Sequence, residues 1–173
     1  MYIRDRGAEM PNFTMKDVND KEHTLEKYRG KVVVLDFCSH ECPWSRGADP
    51  HLAALVKEYA EKGVVFLGID SHHQTTTDEI KKYAEEKGLT HPILKDVNNE
   101  YADEVGAKVT PEIFVIDKEG KLRYHGAFDN RSKPEKRGSE FYTKMAIDAV
   151  LAGQDPEPQQ VKAWGCTIKR VSK

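Results

Sequence analysis

Asp36-Phe37-Cys38-Ser39-His40-Glu41-Cys42-Pro43-Trp44-Ser45 decides how this chain is read. Just upstream, Val32, Val33, Val34, Leu35 and Phe37 make a near-continuous apolar run rich in β-branched residues. That pattern predicts a strand buried on both faces of a parallel or mixed sheet. Downstream, Leu52, Leu55, Val56 and Tyr59 recur at helical spacing between Ser45 and Lys62, and Gly63 stops the helix. Cys42 therefore stands where a strand ends and a helix begins, with Pro43 suited to the first turn. Unpaired N–H groups and the positive end of the helix dipole favour a thiolate there, and an imidazolium at His40 would add to the effect. The thiolate is the reactive form of cysteine. The alternative for Cys42 is a buried small hydrophobe.

Outward from this junction the pattern repeats. Val64 to Ile69 is a second apolar run, followed by a polar loop from Ser71 to Thr76 and a helix carrying Ile80, Tyr83 and Ala84 that closes at Gly88. Ile93 and Leu94 read as a brief strand, and Tyr101, Ala102 and Val105 as a short helix. Glu112 to Asp117 and Lys121 to Tyr124 read as strands joined by a turn at Lys118-Glu119-Gly120. Met145, Ala146, Ala149 and Val150 mark a last helix before Gly153. Beyond it, Asp155 to Gln160 with its two prolines reads as an extended linker, and Ala163 to Lys169 as a short tail segment. Residues 13 to 29 read as a turn-rich run of short extended pieces. The expected architecture is α/β, a central mixed sheet with helices on both faces. It forms one domain over residues 1 to 173: an N-terminal extension to residue 30, a core from 31 to 152 and a tail from 153.

Composition sets the outer limits. The chain has 173 residues, enough for one sizeable core, and 38% of them are hydrophobic, near the globular average. Its 27 Lys and Arg against 29 Asp and Glu leave a formal charge of -2, so no basic excess favours nucleic acid or an anionic membrane surface. No apolar stretch approaches the ~20 residues of a membrane span. Met1 to Met10 lacks the apolar centre of a signal peptide, which leaves the compartment open between the cytoplasm and, if a leader was removed, the periplasm. Three cysteines are too few for a disulfide scaffold, and the odd count gives at least one thiol a role outside a structural bridge.

These segments resemble the thioredoxin superfamily, and within it the redoxin and thiol-disulfide oxidoreductase branch. The likeness lies in Pro11-Asn12-Phe13-Thr14, in Tyr28-Arg29-Gly30-Lys31-Val32-Val33-Val34-Leu35, and in Gly106 to Asp117. Thioredoxins place the nucleophilic cysteine six residues after a buried Asp and eight before a helix-kinking Pro; Asp36, Cys42 and Pro50 keep both spacings. The resemblance implies a thioredoxin-like fold and a cis bond before Pro111, with Thr110 presenting backbone beside the thiol. It implies disulfide exchange at Cys42 with a protein or small thiol partner, without metal or organic cofactor. Asp36 would assist proton movement, unless it is a buried polar group satisfied by its neighbours. His40 reads as a local cation or proton carrier, or as a solvated loop residue, and Trp44 as an apolar contact beside the thiol or an ordinary half-buried ring.

Two departures leave the second thiol open. Ser45 stands three residues after Cys42, where thioredoxins carry their resolving cysteine. Cys38, four residues before, would need Cα atoms within about 7 Å of Cys42 to bridge it. Cys166 lies in Trp164-Gly165-Cys166-Thr167-Ile168-Lys169, similar to the ending of one redoxin subgroup. That tail would either resolve Cys42 or pack as a lid; a Cys38–Cys42 bridge is ranked somewhat ahead of both. Two other activities compete. A peroxiredoxin-type peroxidase finds a hydroxyl at Ser39, yet Leu35 replaces the motif's Pro and Thr110-Pro111-Glu112 lacks the usual Arg. A Sco-like Cu(I) carrier finds Cys38-x-x-x-Cys42-Pro43, with His72, His73 and His125 available but out of the expected context.

Overall fold

The computed structural model describes residues 7–172. Residues 1–6 lie outside it, and with them most of the Met1 to Met10 stretch read for a leader. In chain order the strands and helices are β1 (Thr14–Lys16), β2 (Glu22–Thr24), β3 (Val32–Phe37), α1 (Pro43–Glu58), β4 (Val64–Asp70), α2 (Thr77–Lys87) and β5 (Ile93–Lys95). There follow α3 (Glu100–Val105), β6 (Val109–Thr110), β7 (Glu112–Ile116), β8 (Leu122–Gly126), α4 (Tyr142–Leu151), β9 (Gln160–Val161) and β10 (Cys166–Thr167).

The main sheet has six strands in the order β5-β4-β3-β7-β8-β9. β3 runs parallel to β4 and antiparallel to β7, which makes the sheet mixed as expected. Every residue of β3 is buried. Because side chains alternate along a strand, β3 feeds two cores at once. Val33, Leu35 and Phe37 pack with Met10, Phe13, Tyr101 and Phe114, whereas Val32 and Val34 pack with Leu52 of α1, Tyr59 at the end of that helix and Ile147 of α4. The N-terminal residues placed in an extension thus complete a core: Met10, Phe13, Met15 and Leu25 are all buried.

Local chemistry fixes the element ends. Thr76 caps α2 by accepting from Glu79 N, and Gly88 ends that helix in the left-handed region. Asp117 Oδ1 accepts from Glu119 N and Lys121 N, which closes the turn between β7 and β8.

The segment read as linker and tail contributes two strands. β9 joins the main sheet parallel to β8, and β10 pairs antiparallel with β6, setting Cys166 opposite Thr110. Both approaches depend on glycine. Gly126 has φ +143, and a Cβ there would lie 1.7 Å from Val161 O; Gly165 also has φ +143, with a Cβ 2.0 Å from Thr110 O. Only a residue without a side chain lets two backbones come this close.

Candidate active site

The N-cap of α1 is Cys42 itself, its backbone extended at φ -93 and ψ 118 while Pro43 opens the helix. Its Sγ accepts from Ser45 N at 3.4 Å and lies 3.2 Å from the carbonyl oxygen of Thr110. The Thr110-Pro111 bond is cis, as the resemblance implied, and it brings that carbonyl to the sulfur. Ser45 Oγ accepts from Ser39 N at 3.1 Å, and Ser39 Oγ accepts from Glu41 N at 3.1 Å. The hydroxyl standing at the usual resolving position therefore braces the loop that carries the thiol.

The partner of Cys42 is Cys166. The two are joined by a disulfide with Cα atoms 5.9 Å apart, across a sequence separation of 124, a spacing ordinary for such bonds. This differs from the reading that put a Cys38–Cys42 bridge ahead. Cys38 is unbridged and buried, its Sγ directed to Ile69 O at 3.7 Å. Burial pushes its thiol well up, and the Asp36, Asp70 and Asp49 carboxyls add to that. A buried, protonated thiol is a poor nucleophile. The near neighbour loses because β3 sends Cys38 inward, whereas the tail folds back across the helix mouth.

The supporting residues divide. Asp36 is 3% exposed with no partner for its Oδ1; burial first, then the Asp49 charge, pushes its carboxyl well up. Asp49, nearly two turns into α1, is pushed up to about 6 by burial, partly offset by the Tyr83 hydroxyl and by Arg46; that hydroxyl donates at 2.6 Å. His40 directs its Nε2 to Glu79 of α2 at 3.2 Å. Trp44 packs on Trp164 with ring centroids 5.1 Å apart.

Of the histidines weighed as metal ligands, His125 pairs with Glu112. His72 is 2% exposed, and His73 donates its backbone N–H to Lys169 O at 2.6 Å. Glu112 is a residue the sequence reading passed over. Buried behind cis-Pro111, it accepts at Oε1 from Lys108 N at 2.8 Å and Val109 N at 3.2 Å, fixing the β6 edge on which Cys166 rests. An acid opening an apolar strand was the available signal.

The AhpC/TSA family model matches residues 6–125. The chain belongs to the AhpC/TSA family. The match takes in Cys42 and Pro111 and stops short of the tail. Among curated relatives, the thiol-disulfide oxidoreductase ResA of Geobacillus thermodenitrificans is 32% identical over 117 residues, which are 68% of this chain and 66% of that protein. A hypothetical protein of Sinorhizobium meliloti has a structure with TM-score 0.90 and 28% identity, covering 98% of this chain and 97% of its own. That coverage extends the shared fold into the tail. A thiol:disulfide interchange protein of the thioredoxin family from Chlorobium tepidum matches with TM-score 0.66 and 22% identity over 86% of this chain and 99% of its own. At that identity it bears on the fold alone, which is thioredoxin-like.

Proposed function

We propose that this protein is a thiol-disulfide oxidoreductase whose working couple is Cys42 and Cys166. The observation that carries the reading is the Cys42–Cys166 disulfide at the N-terminus of α1, beside the cis peptide at Pro111. The kinship with ResA supports it.

In the dithiol form, the α1 N-terminus and the Ser45 N–H favour the Cys42 thiolate. That thiolate attacks one sulfur of a partner disulfide; the partner's other sulfur leaves as a thiolate, and a mixed disulfide forms at Cys42. The Cys166 thiol loses its proton to solvent and attacks the Cys42 sulfur. The Cys42–Cys166 bond forms and the second partner thiolate departs. Two electrons have passed from this chain to the partner. A partner dithiol attacking the Cys42–Cys166 bond runs the sequence backwards. The buried Asp36 carboxyl and the Glu79-paired His40 are given no part in these steps. Cys38 takes no part. The partner is a protein or small molecule bearing a thiol or disulfide. Among the described residues no helix is long and apolar enough to cross a membrane.

Cys166→Ser is the decisive variant. Challenged with a small disulfide, it should accumulate a mixed disulfide on Cys42, read as a mass shift, while Cys38→Ala exchanges at the wild-type rate. Mixed-disulfide accumulation in Cys38→Ala and not in Cys166→Ser would overturn the assignment. Consumption of hydrogen peroxide far faster than by a free thiol would make peroxide the preferred oxidant instead.

A further inference from the structure

Two residues before Cys166, the indole of Trp164 is held by a buried charge pair that the disulfide does not require. The side chain of Arg131 is 0% exposed and that of Asp129 is 1%. The guanidinium forks onto the carboxylate, Nε to Oδ1 at 2.9 Å and Nη2 to Oδ2 at 2.9 Å. Two further donors are used as well: Nη1 reaches Pro134 O at 2.9 Å and Nη2 reaches His51 Nδ1 at 3.1 Å. Arginine has donors only, so His51 accepts there. Gly138 N donates to Asp129 Oδ2 at 3.0 Å.

This fixed plane faces Trp164, 5.4 Å from its ring centroid. The indole N–H donates to Asp129 O at 2.7 Å, and its ring leans on Trp44, beside Pro43. Burying an ion pair costs desolvation that apolar packing avoids, so its presence calls for a role in placement. What it places is Trp164. On the other side of Cys166 the tail is also tied: Ile168 is 3% exposed and donates its N–H to Lys108 O at 3.0 Å. Arg170 reaches Asp103 at 2.9 Å, and Val171 N reaches Asn99 Oδ1 at 2.8 Å.

We propose that Asp129, Arg131 and Trp164 form a clamp that keeps the tail docked, with Cys166 over Cys42, when the two sulfurs are not bonded. Arg131 and Asp129 are positioning residues that act through Trp164. The inference rests on Cys42 and Cys166 being the working couple, and it adds how they meet. A docked tail presents the Cys166 thiol at a high effective concentration, so closure of the disulfide competes well against an external thiol. It also keeps the Val109–Thr110 edge filled by β10, so a partner reaches Cys42 without adding a strand there. The clamp lies beyond residue 125, outside the segment that matches the family.

The test uses the full chain in glutathione buffers and by amide hydrogen exchange, with Trp164→Leu as the main variant and Arg131→Lys as the second. In the dithiol wild type the Ile168 amide should stay protected. In dithiol Trp164→Leu it should exchange freely, yet remain protected in the disulfide form, which also reports a folded chain. The effective concentration of the Cys42–Cys166 couple against glutathione should fall about tenfold or more in Trp164→Leu, in line with the loss of a desolvated cation–π contact and a hydrogen bond, and in the same direction in Arg131→Lys, which loses the fork onto Asp129. A dithiol wild type that exchanges Ile168 like an unstructured tail, or a Trp164→Leu couple unchanged against glutathione, overturns the clamp. Neither readout needs a physiological partner. A docked tail in a protein that transfers no disulfide would therefore refute the oxidoreductase reading and leave the clamp standing.

Discussion

Gly165 bears more of the tail than its size suggests, because it allows Cys166 to lie against Thr110. Alanine there would meet Thr110 O at 2.0 Å and hold a φ of +143 that L side chains rarely adopt. Gly165→Ala is expected to detach β10 and cut the rate of Cys42–Cys166 closure at least tenfold, measured by quenched alkylation after an oxidant pulse. Because Ile168 packs into the core that β3 feeds, some loss of global stability should accompany the detachment. Closure at the wild-type rate would mean that the tail reaches Cys42 by another path. Glu112 makes the complementary case on the β6 side. Glu112→Ala leaves the Lys108 and Val109 N–H groups without their acceptor and should cost about 1–3 kcal/mol in chemical denaturation. Glu112→Gln keeps an acceptor oxygen and should cost less; equal losses would argue that the His125 pairing, and not the capping, is what matters.

At the scale of elements, what the sequence makes legible is whatever is written locally. β3 is readable because five apolar residues crowd a short window, α1 because Leu52, Leu55 and Tyr59 fall on one face, and the β7–β8 hairpin because Asp117 and Gly120 have the chemistry of its turn. Cys42 at the strand-helix junction follows from those two elements. The tail is different. β9 and β10 are two residues each, too short to carry a period, and their pairing depends on clearance at Gly126 and Gly165 that becomes visible only when distant backbones meet. For the same reason the bridge is not legible: spacing favours Cys38, but the chain turns it inward after β3 and the returning tail supplies Cys166. The buried pairing of Asp129 with Arg131 is equally silent in sequence, because two opposite charges in a polar loop read as solvated.

For the whole molecule, buried ionisable groups under the active loop set an acid response in which two opposed terms meet. Burial pushes Asp49 from an ordinary 3.8 to about 6. The native state then holds a proton that the unfolded chain has released, so this group lowers stability as pH rises from about 4 to 6. Asp36, also pushed up, acts in the same sense. His91 is lowered by burial from 6.5 to about 4. Here the unfolded chain binds the extra proton, so stability is full above pH 6.5 and is lost as pH falls toward 4. Each term is on the order of 3 kcal/mol. Removing one should expose the other. Urea unfolding of Asp49→Asn is expected to give stability that rises more steeply from pH 4 to 6 than in the wild type, and His91→Gln stability that falls over the same range. Parallel profiles for both variants and the wild type would contradict this balance.

The most direct test of the whole account is a peptide map of the oxidised protein, alkylated before and after unfolding. It should recover the Cys42 peptide bonded to the Cys166 peptide, with Cys38 modified only once the chain is unfolded. A Cys38–Cys42 peptide in its place would contradict the account at its centre.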